Sequence, residues 1–299
     1  MSRHRVVRRS LMAALLIALV IYASGVVPSR LVAAGAGGLL HPMRVVSVHP
    51  PPAGCSDEVF TGFEVTLAGW RCPANGARRG SVIYLHGVAD NRGSAVNVID
   101  RFVGRGFDVV AYDSRAHGSS TGEFCTYGFY EKEDLRLVID TLEPGPVVLI
   151  GASLGGAVAL QHAARDRRVT AVVAAETFSD LRTIAAERAP SFFTDAVIAR
   201  ARALAERIAG FRVDDVSPLR AAEDITAPVL LVHGADDVDT PPAHSQRVLA
   251  RLHSPNRLIL VPHAGHNGSL RPEVWDAIDA WLTEVLAGKV ADDRRLQLE

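Results

Sequence analysis

Gly151-Ala152-Ser153-Leu154-Gly155 is the stretch that decides the fold. It follows Pro146-Val147-Val148-Leu149-Ile150, an apolar run that reads as a buried strand. It precedes Gly156-Ala157-Val158-Ala159-Leu160, which reads as the first turns of a helix. A serine at such a corner is held in a strained turn that lifts its Oγ clear of the sheet, and the flanking glycines answer a crowded backbone. The five residues alone carry little weight, because Gly and Ser are common. The strand before them and the helix after them supply the weight.

A serine hydroxyl becomes a useful nucleophile only when a base takes its proton and an acid orients that base. Downstream, Ala227-Pro228-Val229-Leu230-Leu231-Val232 reads as a buried strand ending in His233-Gly234-Ala235-Asp236-Asp237. Arg257-Leu258-Ile259-Leu260-Val261 reads as the last strand, ending in Pro262-His263-Ala264-Gly265-His266-Asn267. Ser153, Asp237 and His266 thus follow strands in the order Ser, Asp, His. Asp236 and Asp239 share the acid's loop and compete with Asp237, while His263 competes with His266. Ser81-Val82-Ile83-Tyr84-Leu85 reads as a strand running into His86-Gly87-Val88-Ala89. There the Val88 N–H, together with that of Leu154, is placed to bind an oxyanion.

These motifs resemble the alpha/beta-hydrolase superfamily, on its serine-aminopeptidase-like branch of small-lidded hydrolases, over roughly residues 45–288. Asp113-Ser114-Arg115-Ala116-His117-Gly118-Ser119-Ser120 resembles the family's loop after the fourth strand, with Ala116 where the family usually has Gly. Tyr127 to Leu135 resembles a helix start found in membrane-anchored members, some of them studied as protein depalmitoylases. The resemblance implies an α/β fold, a mostly parallel sheet with helices on both faces and a small helical lid. It also implies hydrolysis of an ester or thioester through an acyl-enzyme, with no cofactor and no metal. An acyltransferase, a peptidase or a non-catalytic binding protein on the same fold are the alternatives. His86, Asp113, Arg115 and His117 read as structural, and Glu131 and Asp134 as acids of a helix start.

The 299 residues suffice for one large domain. A net charge of −1 argues against an electrostatic nucleic-acid binder. Arg3, Arg5, Arg8 and Arg9 precede an uncharged run from Leu11 to Val27. That pattern is expected to be a membrane anchor with the catalytic domain outside the cytoplasm, the alternatives being a cleaved signal or a buried helix. Residues 28–44 read as a small-residue linker and 289–299 as a tail. Cys55 and Cys72 flank what read as the first strands, so either a disulfide or three free thiols fits.

Val45–His49 and Phe63–Leu67 are expected to open the sheet. From residue 81 strands and helices alternate, which implies parallel pairing. Between the strand at 169–175 and that at 227 lie about 50 residues, where Phe192, Phe193, Val197, Ile198, Ala201, Leu204 and Ile208 recur at helical spacing. Residues 178–226 are therefore expected to form a small lid or else a crossover helix. Apolar residues facing the site would suit an acyl or aromatic substrate.

Overall fold

The structure, a computed structural model, describes residues 3–23, 29–289 and 296–297. In chain order the elements begin with α1 (Arg3–Ala23), α2 (Ser29–Leu40), β1 (Ser56–Thr61), β2 (Thr66–Cys72), β3 (Gly80–Leu85), α3 (Val96–Val103) and β4 (Phe107–Tyr112). They continue with α4 (Glu131–Ile139), β5 (Val147–Ala152), α5 (Leu154–Ala163), β6 (Val169–Ala175), α6 (Leu181–Glu187), α7 (Asp195–Ala209) and α8 (Pro218–Ala221). The last are β7 (Val229–Gly234), α9 (Ala243–Leu249), β8 (Asn256–Val261), α10 (Pro272–Leu286) and the two-residue β9 (Leu296–Gln297). They fall into two compact units, Leu40–Arg188 with Phe211–Glu299, and Met1–Leu39 with Ala189–Gly210.

The larger unit is built on one sheet of order β1-β2-β4-β3-β5-β6-β7-β8-β9. The β1–β2 and β2–β4 pairs are antiparallel, and all later pairs are parallel. Valine, isoleucine and leucine fill the central strands because both sheet faces are covered. Along β3 and β5, Ile83, Leu85, Val147 and Leu149 belong to one core, with Leu135, Leu154 and Val158. Val82, Tyr84, Val148 and Ile150 belong to the other, with Phe102, Ile278 and Trp281. The chain reverses its direction of travel across the sheet between β3 and β5, which pair Leu85 with Gly151. Crevices at the carboxyl ends of strands form at such a reversal.

Three expectations need correction here. Residues 45–49 form no strand: Val46 and Val48 are exposed, and the sheet opens with β1 at Ser56 instead. The stretch 28–44, expected as a linker, carries the helix Ser29–Leu40, with Ala36 and Leu40 buried. The membrane anchor and the localisation drawn from it are overturned, because no helix among the described residues is long and apolar enough to cross a membrane. Helix α1 starts inside the arginine cluster and ends at Ala23. Its uncharged part, Ser10–Ala23, spans roughly 20 Å at 1.5 Å per residue, against about 30 Å of hydrocarbon. Residues 24–27 of the expected apolar run lie outside the described residues, as do 290–295 and 298–299 of the expected tail.

Cys55 and Cys72 form a disulfide that ties the start of β1 to the end of β2, and Cys125 is free and buried. In the smaller unit the apolar periodicity of 192–208 resolves into α7, capped by the Thr194 hydroxyl on the Val197 N–H and closed by left-handed Gly210. Val197, Ala201 and Ala205 are buried. Gly35 of α2 lies against Phe193 and Ala201, and a Cβ on it would stand 2.9 Å from the Ala201 Cβ.

Candidate active site

The turn at the end of β5 is as crowded as its glycines imply. A Cβ on Gly155 would lie 2.0 Å from the Leu85 carbonyl oxygen, and one on Gly151 would lie 2.3 Å from the Gly155 carbonyl carbon. Between them Ser153 adopts φ 49° and ψ −110°, a conformation that non-glycine residues rarely hold. Its N–H donates to the Ala175 carbonyl at 2.7 Å, anchoring the turn on β6. Helix α5 starts at the next residue, so the Leu154 N–H has no acceptor within the helix.

The loops after β7 and β8 meet this serine. His266 Nε2 lies 3.2 Å from Ser153 Oγ, and His266 Nδ1 lies 2.7 Å from Asp237 Oδ2. The remaining carboxylate oxygen of Asp237 accepts the N–H groups of Asp239 at 3.0 Å and Thr240 at 2.8 Å. An acceptor-only carboxylate on Nδ1 fixes the tautomer with the proton there, which leaves Nε2 free to accept from Ser153. The competitors stand aside. The Asp236 side chain is 65% exposed and faces the exposed His263 at 3.7 Å, while Asp239 reaches Asp237 through its backbone.

The strand β3 delivers the third wall. A Cβ on Gly87 would stand 3.6 Å from the Ser153 Cβ, so the His86-Gly87-Val88 loop passes directly over the serine. His86 is buried, takes the Ser114 N–H on Nε2 at 2.9 Å and donates from Nδ1 to the Gly87 carbonyl at 2.7 Å. Burial pushes its pKa down, which keeps it neutral in that bracing role. Val88 and Ser153 both line a cavity of about 890 Å³. Ala89, Val238 and Pro241 line it too, as do the charged Asp90, Glu187, Arg188 and Asp239.

The neighbouring loops are braced by charge, as expected. Asp113 accepts from the Arg92 side chain at 2.5 Å, the Arg92 N–H at 2.7 Å and the Ser119 N–H at 2.7 Å. Arg115 grips Asp134 with two bonds of 2.7 and 2.8 Å. Asp134 therefore serves Arg115 and the Phe63 N–H, not the start of its own helix. Glu131 does work at the helix start, taking the N–H groups of Thr126 and Gly128 and the Thr126 hydroxyl. Ala116 keeps the left-handed conformation expected of glycine, at φ 60°.

Two residues escaped the sequence reading. His233, at the end of β7, donates from Nε2 to the Thr240 carbonyl at 2.7 Å and accepts the Ser245 hydroxyl on Nδ1 at 2.7 Å. Its Nε2 also lies 3.3 Å from Asp237 Oδ2, so it backs the acid from behind. Glu176, directly after β6, is buried beside the same pair, and its carboxylate lies within 4.8 Å of donor atoms of Asp237 and His266. Glu176 takes the same position after its strand as Ser153 does after its own, and that placement was the available signal. The three groups could in principle hold a cation. However, Asp237 and His266 already hydrogen-bond each other, and the Glu176 oxygens hold backbone N–H groups.

Comparison with known proteins agrees with this fold. The family model described as alpha/beta hydrolase fold matches residues 80–224. The chain is 30% identical over 199 residues to the uncharacterized protein YqkD of Bacillus subtilis, a match spanning 62% of this chain and 64% of that one. Among solved structures, the Pyrococcus furiosus esterase Pf2001 superposes with a TM-score of 0.67 at 24% identity, covering 83% of this chain and 98% of the esterase. Alpha/beta hydrolase domain-containing protein 10 from mouse gives a TM-score of 0.60 at 25% identity, covering 77% and 99%. With a sheet that reverses at β3 and β5 and a strained serine at the reversal, the chain has the alpha/beta hydrolase fold.

Proposed function

We propose that the protein is a serine hydrolase that cleaves a carboxylic ester or thioester through an acyl-enzyme. The observation that carries this is the continuous chain from Ser153 Oγ through His266 to Asp237, at 3.2 and 2.7 Å, at the wall of the cavity. In this scheme Ser153 Oγ attacks the carbonyl carbon while His266 Nε2 takes its proton. Asp237 holds the ring and stabilises the imidazolium. The N–H groups of Val88 and Leu154 receive the oxyanion. His266 then protonates the leaving alcohol or thiol. Water attacks the acyl-enzyme with His266 again as base, and the acid leaves.

An ester or thioester is favoured over an amide because its leaving group needs less help. The charged side chains around the cavity suit an acyl or leaving group that carries polar atoms, since a bare alkyl chain would desolvate them. The motifs at residues 113–120, 151–156, 233–237 and 264–267 support placement on the serine-aminopeptidase-like branch, with 45–288 as the hydrolase domain. The test is hydrolysis of p-nitrophenyl acetate, butyrate and palmitate by the wild type and by Ser153→Ala. The wild type is expected to turn over the short esters, with the variant slower by about 10,000-fold or more. Equal rates in a folded variant would end the proposal.

A further inference from the structure

Glu176 is a buried carboxylate that the scheme above leaves without a task. It adopts φ 52°, a conformation uncommon for a non-glycine residue, and its N–H donates to the Val232 carbonyl at 2.8 Å. That bond extends the β6–β7 pairing one residue past Ala175. Its Oε2 accepts the Asn267 N–H at 2.5 Å, and its Oε1 accepts the Ser269 N–H at 2.9 Å. Both donors lie just after His266, and Asn267 itself is left-handed at φ 65°. A single carboxylate therefore holds two successive corners of the loop that carries the imidazole.

We infer that Glu176 is a positioning residue for His266, holding its loop through the Asn267 and Ser269 N–H groups and setting a second negative charge beside the imidazole. The inference rests on the proposed role of His266 as general base. A carboxylate can serve two N–H donors at once, one on each oxygen. An amide of the same size offers one oxygen, and its NH2 would face the other N–H. The ring would then lose part of the placement that gives a near-attack geometry, where a shift of about 1 Å costs roughly 100-fold in rate. The charge adds a separate effect. Glu176, Asp237 and His233 stand beside the imidazole from the loops after β6 and β7, and Asp90, Glu187, Arg188 and Asp239 line the same cavity. Removing one of the two carboxylates disfavours imidazolium.

The test is kcat, KM and the pH profile of p-nitrophenyl ester hydrolysis for wild type, Glu176→Gln and Glu176→Asp, with thermal melts of each. For Glu176→Gln, kcat falls about 10- to 100-fold with KM nearly unchanged. The acid limb of kcat/KM moves to lower pH, because one of the two carboxylates beside the imidazolium is gone. Glu176→Asp keeps the charge and shortens the reach, so its kcat falls while its acid limb stays with the wild type. Should Glu176→Gln not fold, Glu176→Asp carries the test: a fall in kcat with the wild-type melting temperature retained supports the inference, and parallel losses of kcat and melting temperature overturn it. Wild-type kcat in both variants would overturn the inference. So would parallel losses of kcat and melting temperature with no displaced limb in Glu176→Gln, because that is the signature of a merely structural residue. If the wild type itself hydrolyses no ester, the general-base assignment falls and the inference with it. Wild-type turnover with unaffected variants removes the inference alone.

Discussion

Two glycine-rich stretches look alike in sequence and behave in opposite ways. Gly151 lies near the end of β5 and Gly155 and Gly156 in the first turn of α5 in the larger unit, and Gly35, Gly37 and Gly38 stand inside α2 of the smaller one. Around Gly151 and Gly155 an added methyl would meet backbone atoms at 2.0 to 2.4 Å. Around Gly37 and Gly38 it would meet nothing within 4 Å. Gly151 and Gly155 are small because the backbone of β3 and of the turn itself packs directly against them where Ser153 is presented. Gly37 and Gly38 merely weaken a helix that would form better with alanine, while Gly35 is kept small by Ala201 and Phe193. Their glycine content is alike, whereas the neighbouring elements tell them apart.

Substitutions at these positions can break the comparison. Gly155→Ala should destabilise the larger unit by about 4 kcal/mol or more, because the clash is with backbone and not with a yielding side chain. Chemical denaturation followed by near-UV circular dichroism would show it. Replacing Cys55 and Cys72 together by alanine should lower stability by about 3 kcal/mol, the chain-entropy value for a loop of this length. The two cysteines are 17 residues apart. A melt of the oxidised protein with and without reductant should show the same loss.

The crowded unit also keeps a histidine out of water. Burial, reinforced by the neighbouring His86, pushes the His117 pKa from 6.5 to about 4. The unfolded chain therefore binds a proton on His117 at a pH where the folded chain does not. Stability from this group is present above pH 6.5 and is lost as the pH falls toward 4. Denaturation midpoints across that window should decline with falling pH, and His117→Gln should flatten the decline. The smallest effect belongs to the open helix. Gly37→Ala should stabilise the helix by about 0.5 to 1 kcal/mol, read as slower hydrogen exchange of α2 amides. A loss of protection would mean that the two stretches share one constraint.

What was legible in the sequence follows the same division. The strand cores were legible because an apolar run between helices has few other uses, and Val169–Ala175 was read to the residue. That Ser153, Asp237 and His266 would meet was legible because each follows a strand within a short recognisable turn. Glu176 and His233 were not read, because their work is done on backbone groups or behind the acid, in contacts that no local pattern encodes. The opening strands were misread because Val45 to Val48 has strand-like valines but no partner, while Ser56–Thr61 gains its pairing from β2 and its tie from the disulfide. The N-terminal segment was misread because an uncharged run was counted in residues. The helix that forms there begins among arginines and ends at Ala23.

The most direct test of the central claim is fluorophosphonate labelling of the full chain followed by peptide mapping. Such a probe forms an adduct with a serine whose hydroxyl is activated by a base, trapping a tetrahedral centre on Oγ. One adduct, on Ser153, is expected in the wild type, with its loss in His266→Ala while the fold is retained. An unlabelled but folded wild type, an adduct on a different serine, or undiminished labelling in His266→Ala would contradict it.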